Sequence, residues 1–326
     1  MHPLLVADIG GTNARFAIAL GEKLGAIQLL EQRDYPCAEF SCFDAVLRQY
    51  VGSLREKNLK RAAIAIAGPA ADNFAKMTNL DWEISAHGVQ QQFGFDSVMF
   101  VNDLAAHALA TAYLEPSQFA NIKPGTAQAK ATRAIIGPGT GLGVASLHWH
   151  RDGWRAFPTE GGHVAFGPST AIETEIYHLL FKQHGYVSLE MLLSGPGLIN
   201  IYQSLSTINN QARKFSSARD ILHYSDSDDL CMESVNVFIG ALGGAAGDLA
   251  LVYGAKGGLY LGGGMTKHLL PFIPKPGFMQ RFLQKGFRSE YLASIPIDAI
   301  LYPNPGLLGA ALWYYQHSPA HEPIFL

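Results

Sequence analysis

Apolar residues in this chain fall into short blocks whose period changes along the sequence. The block "LLVAD" (Leu4 to Asp8) is continuous, as a strand covered on both faces requires, and "ARFAIAL" (Ala14 to Leu20) follows after a glycine turn. A third strand is expected from Ala26 to Asp34, then a helix around Ser41 to Lys57, then the apolar strand "AAIAIAG" from Ala62 to Gly68. "VMFV" (Val98 to Val101) reads as a strand running into an alanine-rich helix, Asp103 to Tyr113. Far downstream, "LYPNPGLLGAALWYY" predicts a turn at Asn304 to Gly306 and a helix from about Leu307 to Tyr315. Strands that open as hairpins and then alternate with helices predict a mixed sheet in an α/β fold.

The pattern restarts partway along. Aligning "IGGTNARFAIA" (Ile9 to Ala19) with "GPGTGLGVASL" (Gly137 to Leu147) matches Gly11 with Gly139, Thr12 with Thr140 and Ala17 with Ala145. Both passages read as strand, glycine-threonine turn, strand. They predict a duplicated architecture with two facing hairpins. The glycines support it: there are 34, clustered at Gly10-Gly11, Gly137 to Gly143, Gly161-Gly162, Gly243-Gly244 and Gly262 to Gly264, mostly beside strands. Clustered glycine lets a backbone approach a ligand closely, whereas flexible linkers scatter it among serines.

Two glycines and a threonine suggest an anion grip, because successive exposed amides form a concavity that a hydroxyl donor completes. The P-loop's Lys-Ser/Thr ending and the dinucleotide motif's third glycine are both missing. In the second turn Pro138 has no N–H, so donation is expected from Gly139, Thr140 and Gly141. Asp8, at a strand end beside the first turn, could hold Mg²⁺ through water, and Arg15 could neutralise developing charge. The alternative for that pair is a surface ion pair, and for either turn a tight hairpin. Asn102 and Asp103 stand where a strand hands over to a helix, where Asx residues are favoured N-caps. Glu160 and His163 flank a Gly-Gly turn, but two ligands without a third are thin support for a metal.

Composition narrows the class. Of 326 residues, 48% are hydrophobic and 16% charged, so a sizeable core and two domains are expected. A net charge of −3 gives no basic stripe for nucleic acid. Three cysteines, Cys37, Cys42 and Cys231, have neither metal-ligand spacing nor an even count, which favours a reducing compartment. With no basic leader followed by an apolar stretch and no run of 18 apolar residues, a cytoplasmic location without a membrane partner is expected.

Eight segments, "DIGGTNARFA", "AIAGPAADNFAKMTNLDW", "VNDLAAHALA", "GPGTGLGVA", "TEGGHVAF", "SLEMLLSGPGL", "LGGGM" and "NPGLLGAAL", occur in the order seen in bacterial glucokinases, which the chain resembles from Asp8 to about Leu312. The resemblance implies the duplicated ribonuclease H-like/actin-like (hexokinase) fold, α/β in class, with two domains around a cleft. The closing helix would return to the first domain, giving a small domain of residues 1–108 plus 302–326 and a large one of 109–301. It implies ATP-dependent phosphorylation of D-glucose, with Mg²⁺ as cofactor and a homodimer as assembly. Asp8, Gly10, Gly11, Thr12 and Asn13 would form the first phosphate loop, Gly139, Thr140 and Gly141 the second, and Gly262, Gly263 and Gly264 would lie against adenosine. Asp103 would act on the attacking hydroxyl, and Asn102, Glu160, His163, Glu190 and Asn79 would bind the sugar. A hexokinase of broader preference, a silent sugar sensor and a sugar-independent actin-like ATPase are the alternatives. No closely spaced cysteines follow His163, unlike the zinc-binding repressors and kinases of the wider family.

Overall fold

The computed structural model describes residues 3–21, 24–55, 58–68, 70–71, 74–77, 80–151, 153–274 and 276–318. The chain forms two compact units, one of Met1–Gln118, Trp154–Pro158 and Tyr302–Leu326, the other of Phe119–Gly153 and Thr159–Leu301.

The first unit begins with strands β1 (Leu4–Ile9), β2 (Asn13–Leu20) and β3 (Gln28–Pro36), a helix α1 (Phe43–Ser53) and strand β4 (Arg61–Ile66). A small three-stranded sheet follows, β5 (Ala70–Ala71), β6 (Phe74–Lys76) and β7 (Glu83–Ser85), then α2 (Ala86–Phe93), β8 (Ser97–Asn102) and α3 (Asp103–Ala110). The main sheet has the order β3-β2-β1-β4-β8, with β1, β4 and β8 parallel and β2 and β3 antiparallel. Every residue of β1 is buried, which is why "LLVADI" is apolar without alternation. Helix α1 buries Phe43, Val46, Leu47 and Tyr50, one face at helical spacing, and stops at Ser53, four residues before the end expected from the sequence. The closing helix, Pro305–His317, packs on α3, β1 and β4.

In the second unit β9 (Phe119–Lys123) precedes β10 (Arg133–Pro138), β11 (Leu142–His150) and β12 (Gly153–Thr159). Helices α4 (Ala171–His184), α5 (Gly195–Ile208), α6 (Ala218–His223) and α7 (Asp229–Val252) come next, and β13 (Leu259–Leu261) follows them. Helices α8 (Thr266–Leu269), α9 (Pro276–Leu283) and α10 (Ser289–Ala293) lead to β14 (Ile297–Ile300). The sheet order is β12-β11-β10-β13-β14-β9. Strand for strand this repeats the first sheet, with a hairpin beside the central parallel strands, and β9 adds an antiparallel edge. The duplication expected from the two glycine-threonine turns therefore extends to the whole sheet.

Helix α7 is long and apolar enough to span a membrane, with a mean hydropathy of 1.7, yet 78% of that window is inside the protein. Its apolar surface is a core surface, packed on α5 and α9. Helix α4 starts with a capping pair: Thr170 Oγ1 accepts from the Glu173 N–H (3.2 Å), and Glu173 Oε2 accepts from the Ser169 N–H (2.7 Å). The other Glu173 oxygen meets Arg281 of α9 in a buried ion pair.

Candidate functional site

In the first unit the β1–β2 hairpin carries the first glycine turn at its tip. The Gly10 N–H donates to the Asn13 carbonyl (3.0 Å), closing the turn, which leaves Gly11 and Thr12 at its apex with Thr12 exposed. Cys37, just past β3, supports the turn from behind: its N–H donates to the Thr12 carbonyl (2.8 Å) and its Sγ to the Gly10 carbonyl (3.5 Å). Burial pushes the Cys37 thiol pKa up, so it stays a neutral hydrogen-bond donor.

Asp8 lies opposite Arg15 in the hairpin register, and its Oδ2 is 3.4 Å from Arg15 Nη1. The simpler reading of these two residues, a surface ion pair, is met in the pairing but not in the placement. Asp8 is 6% exposed, deep for a carboxylate with one long ion pair. It packs against Gly306 in the first turn of the closing helix. A β-carbon at Gly306 would sit 2.5 Å from the Asp8 carboxyl carbon, so glycine is required there. In the sequence Gly306 reads only as a turn residue, and "NPG" before a helix is its one signal.

Asn102 ends β8 and Asp103 begins α3. Asn102 Oδ1 accepts from the Ala105 N–H (3.1 Å), a true N-cap, while its Nδ2 points to the Gly68 carbonyl at 3.5 Å. Asp103 Oδ1 accepts from the Leu104 N–H (2.8 Å), at the positive end of the helix. Capping by Asn102 fixes the backbone that presents Asp103. Asn79 lies outside the described residues.

In the second unit the second turn is joined to the segments that carry the polar residues. The Gly139 N–H donates to the Gly141 carbonyl (2.8 Å), so the amides at the apex are those of Thr140 and Gly141 rather than all three expected. The Gly139 carbonyl accepts from Gly195 N (2.8 Å) at the start of α5. The Pro138 carbonyl accepts from Met265 N (3.0 Å), and Gly262 N donates to the Ile136 carbonyl (3.0 Å). The "GGG" run is thereby fixed to the base of the second turn, with Gly263 in the left-handed region at φ 80°.

Glu160 precedes and His163 closes a 3₁₀ turn, Gly161–His163, with Glu160 Oε2 3.8 Å from His163 Nε2 and both side chains exposed. Gly162 packs on the Leu142 carbonyl so closely that a β-carbon would overlap it. The Gly162 carbonyl accepts from Glu190 N (2.8 Å), and Glu190 Oε2 accepts from the Leu142 N–H (2.8 Å). Thr159 Oγ1 donates to the Val144 carbonyl (3.1 Å), and the Tyr186 hydroxyl donates to the His163 carbonyl (2.8 Å). Glu160, His163, Glu190 and the second turn thus form one hydrogen-bonded assembly. Thr159 and Tyr186 hold it, and neither has a distinguishing sequence signal.

Among the described residues no cluster of three or more His, Cys, Asp or Glu side chains could hold a metal. A single carboxylate such as Asp8 instead fits a hydrated Mg²⁺ whose other ligands are phosphate oxygens and water.

Three comparisons with known proteins bear on this arrangement. The family model described as Glucokinase matches residues 5–317. A glucokinase from Saccharophagus degradans is 41% identical over 318 residues, covering 97% of this chain and 99% of the relative. The solved structure of glucokinase from an Antarctic psychrotroph superposes with a TM-score of 0.84 at 35% identity, covering 97% and 99% of the two chains. A ROK family glucokinase from Streptomyces griseus, solved in complex with glucose and AMPPNP, shares the fold with a TM-score of 0.66 at 19% identity, covering 96% and 99%.

Proposed function

The chain belongs to the glucokinase family, and from that premise we propose which of its residues carry the reaction. The reaction transfers the γ-phosphoryl group of ATP to the 6-hydroxyl of D-glucose, giving glucose 6-phosphate and ADP. Asp103 accepts the proton of the 6-hydroxyl as its oxygen attacks the γ-phosphorus and the bond to the β,γ-bridging oxygen breaks. Asp103 stands at the positive end of α3, and a modest base suffices there because the transition state is loose and most of the rate comes from alignment and charge stabilisation.

Asn102, Glu160, His163 and Glu190 take the remaining sugar hydroxyls, and Asn79 is retained as a sugar contact on the strength of the family resemblance. Amides at Gly11, Thr12, Thr140 and Gly141, with the two threonine hydroxyls, donate to phosphate oxygens. Gly10, Asn13 and Gly139 shape those turns. The Gly262–Gly264 run presents side-chain-free backbone to the adenosine. Asp8 holds Mg²⁺ through water, and the ion neutralises phosphate charge when bound. A homodimer and a cytoplasmic location belong to the same reading, the latter supported by three free thiols.

One observation carries the assignment. In the second unit the glycine-threonine turn and the polar set Glu160, His163 and Glu190 are hydrogen-bonded into a single body, so a group held by one is held in fixed relation to the other. The test is ADP release coupled to an indicator, run over a panel of hexoses and reading kcat/KM for each. Glucose should lead the panel, because a site built to hydrogen-bond a hydroxyl rejects analogues lacking it by about 10⁴-fold or more. ADP release that does not depend on any hexose would overturn it.

A further inference from the structure

Glu190 has a second partner besides the sugar assigned to it. Its Oε2 occupies the space that a side chain at position 141 would fill: a β-carbon on Gly141 would lie 2.5 Å from Oε2 and 3.3 Å from Cδ. The same oxygen accepts the Leu142 N–H at 2.8 Å, a charge-assisted bond to the peptide that leaves the second phosphate turn. Behind it, the Glu190 N–H is fixed to the Gly162 carbonyl (2.8 Å), in the segment between Glu160 and His163. Among the described residues no cation pairs with Glu190 and Oε1 has no hydrogen-bond partner. A half-buried carboxylate with one donor calls for more, and hydroxyls of a bound ligand can provide them.

We propose that Glu190 is the joint through which sugar and nucleotide sense one another: Oε1 takes a sugar hydroxyl while Oε2 sets the Gly141–Leu142 peptide of the phosphate turn. This rests on the reading of Glu190 as a sugar ligand and adds to it an energetic coupling. A hydroxyl donated to Oε1 fixes the carboxylate, and the fixed carboxylate holds the turn in the form that receives phosphate. Coupling of this kind is reciprocal, so nucleotide must tighten sugar by the same factor by which sugar tightens nucleotide. Gly141 is the matching half of the joint. A β-carbon there would push the carboxylate aside, so glycine at this position serves the sugar site as well as the phosphate site.

Calorimetric titration of glucose, with and without saturating non-hydrolysable ATP analogue, tests the coupling. In the wild type the analogue should tighten glucose by at least about fivefold, within the usual range for coupled sites. In Glu190→Ala that ratio should fall to within about twofold of one. Gly141→Ala, which displaces the carboxylate without removing it, should weaken glucose about tenfold in the absence of nucleotide. The double variant should be no weaker than Glu190→Ala alone, because both changes break one contact. Wild-type glucose affinity in Gly141→Ala, additivity in the double variant, or a ratio unchanged in Glu190→Ala would each overturn the joint. If Gly141→Ala does not fold, the Glu190→Ala ratio decides alone. Absence of glucose phosphorylation by the wild type would instead overturn the functional reading, so the two failures are separable.

Discussion

The two units share a strand order but connect their glycine turns to their polar residues differently. In the second unit the turn touches the polar set directly, through Glu190 Oε2 on Leu142 N and Gly162 on the Leu142 carbonyl. In the first unit β4 stands between β1, which leads into the turn, and β8, which ends in Asn102. There the links are indirect: Ala67 N donates to the Ile9 carbonyl (3.1 Å), and Asn102 Nδ2 reaches the Gly68 carbonyl at 3.5 Å. Duplication of a sheet therefore does not duplicate the wiring at its edge. The first unit keeps its turn and its Asn102-Asp103 corner separately wired, and the second joins turn and polar set directly.

The comparison breaks first at Asp103. Asp103→Ala should lower kcat by about 10² to 10⁴-fold, the usual worth of general base assistance, while glucose KM stays within tenfold. Steady-state kinetics with both substrates checks it, and near-wild-type kcat would remove Asp103 from the mechanism. Gly162→Ala should do the opposite of separating functions. Forcing a methyl onto the Leu142 carbonyl moves the 3₁₀ turn and the phosphate turn together, so KM for glucose and for ATP should both rise, each by about tenfold or more. A change in glucose KM alone would show that the second unit is no more fused than the first.

A third variant asks whether the fused unit depends on its framework. Glu173→Ala leaves Arg281 charged and buried without its partner, a loss of about 3–5 kcal/mol by analogy with other buried pairs. Urea unfolding measures it. Asn102→Ala should cost about 1 kcal/mol through the lost helix cap. It should also raise glucose KM more than ATP KM, as the separable first unit requires.

The smallest effect is expected at Cys37. Its N–H bond to Thr12 survives in Cys37→Ala and only the long Sγ contact goes, so ATP KM should change less than about threefold. Thiol titration of the native protein should find Cys42, which is exposed, reacting first. Cys37 and Cys231 should lag: both are buried, and burial pushes their thiol pKa values up, that of Cys231 to about 12.

Much of this frame was legible in the sequence because it rests on local patterns. Continuous apolar runs gave β1 and β4, and the alignment of Gly11 with Gly139 gave the repeat. The Asn102-Asp103 pair announced a helix start, which the Asn102 cap explains. The small sheet β5–β7 escaped because its strands are two or three residues long, too short for a period to register. Helix α7 was hidden differently, since an apolar helix buried on nearly all sides has no polar face to mark its period.

Within the candidate site, residue types could be read but their partners could not. Nothing in "SLEMLLSG" shows that Glu190 reaches Leu142, 48 positions earlier. Nor does "NPG" show that Gly306 exists to make room for Asp8. Such contacts depend on tertiary approach, and periodicity carries no information about it.

The packing of Gly306 on Asp8 also bears on when the protein can become active during its own synthesis. The second unit lies entirely within residues 119–301, so it has its framework before the closing helix leaves the ribosome. The first unit must wait for Pro305–His317 to dock on β1, β4 and α3. Until then the aspartate assigned to Mg²⁺ lacks the helix that buries it. A nascent chain would thus complete the hydrogen-bonded turn assembly of its second unit early and the packing around Asp8 late.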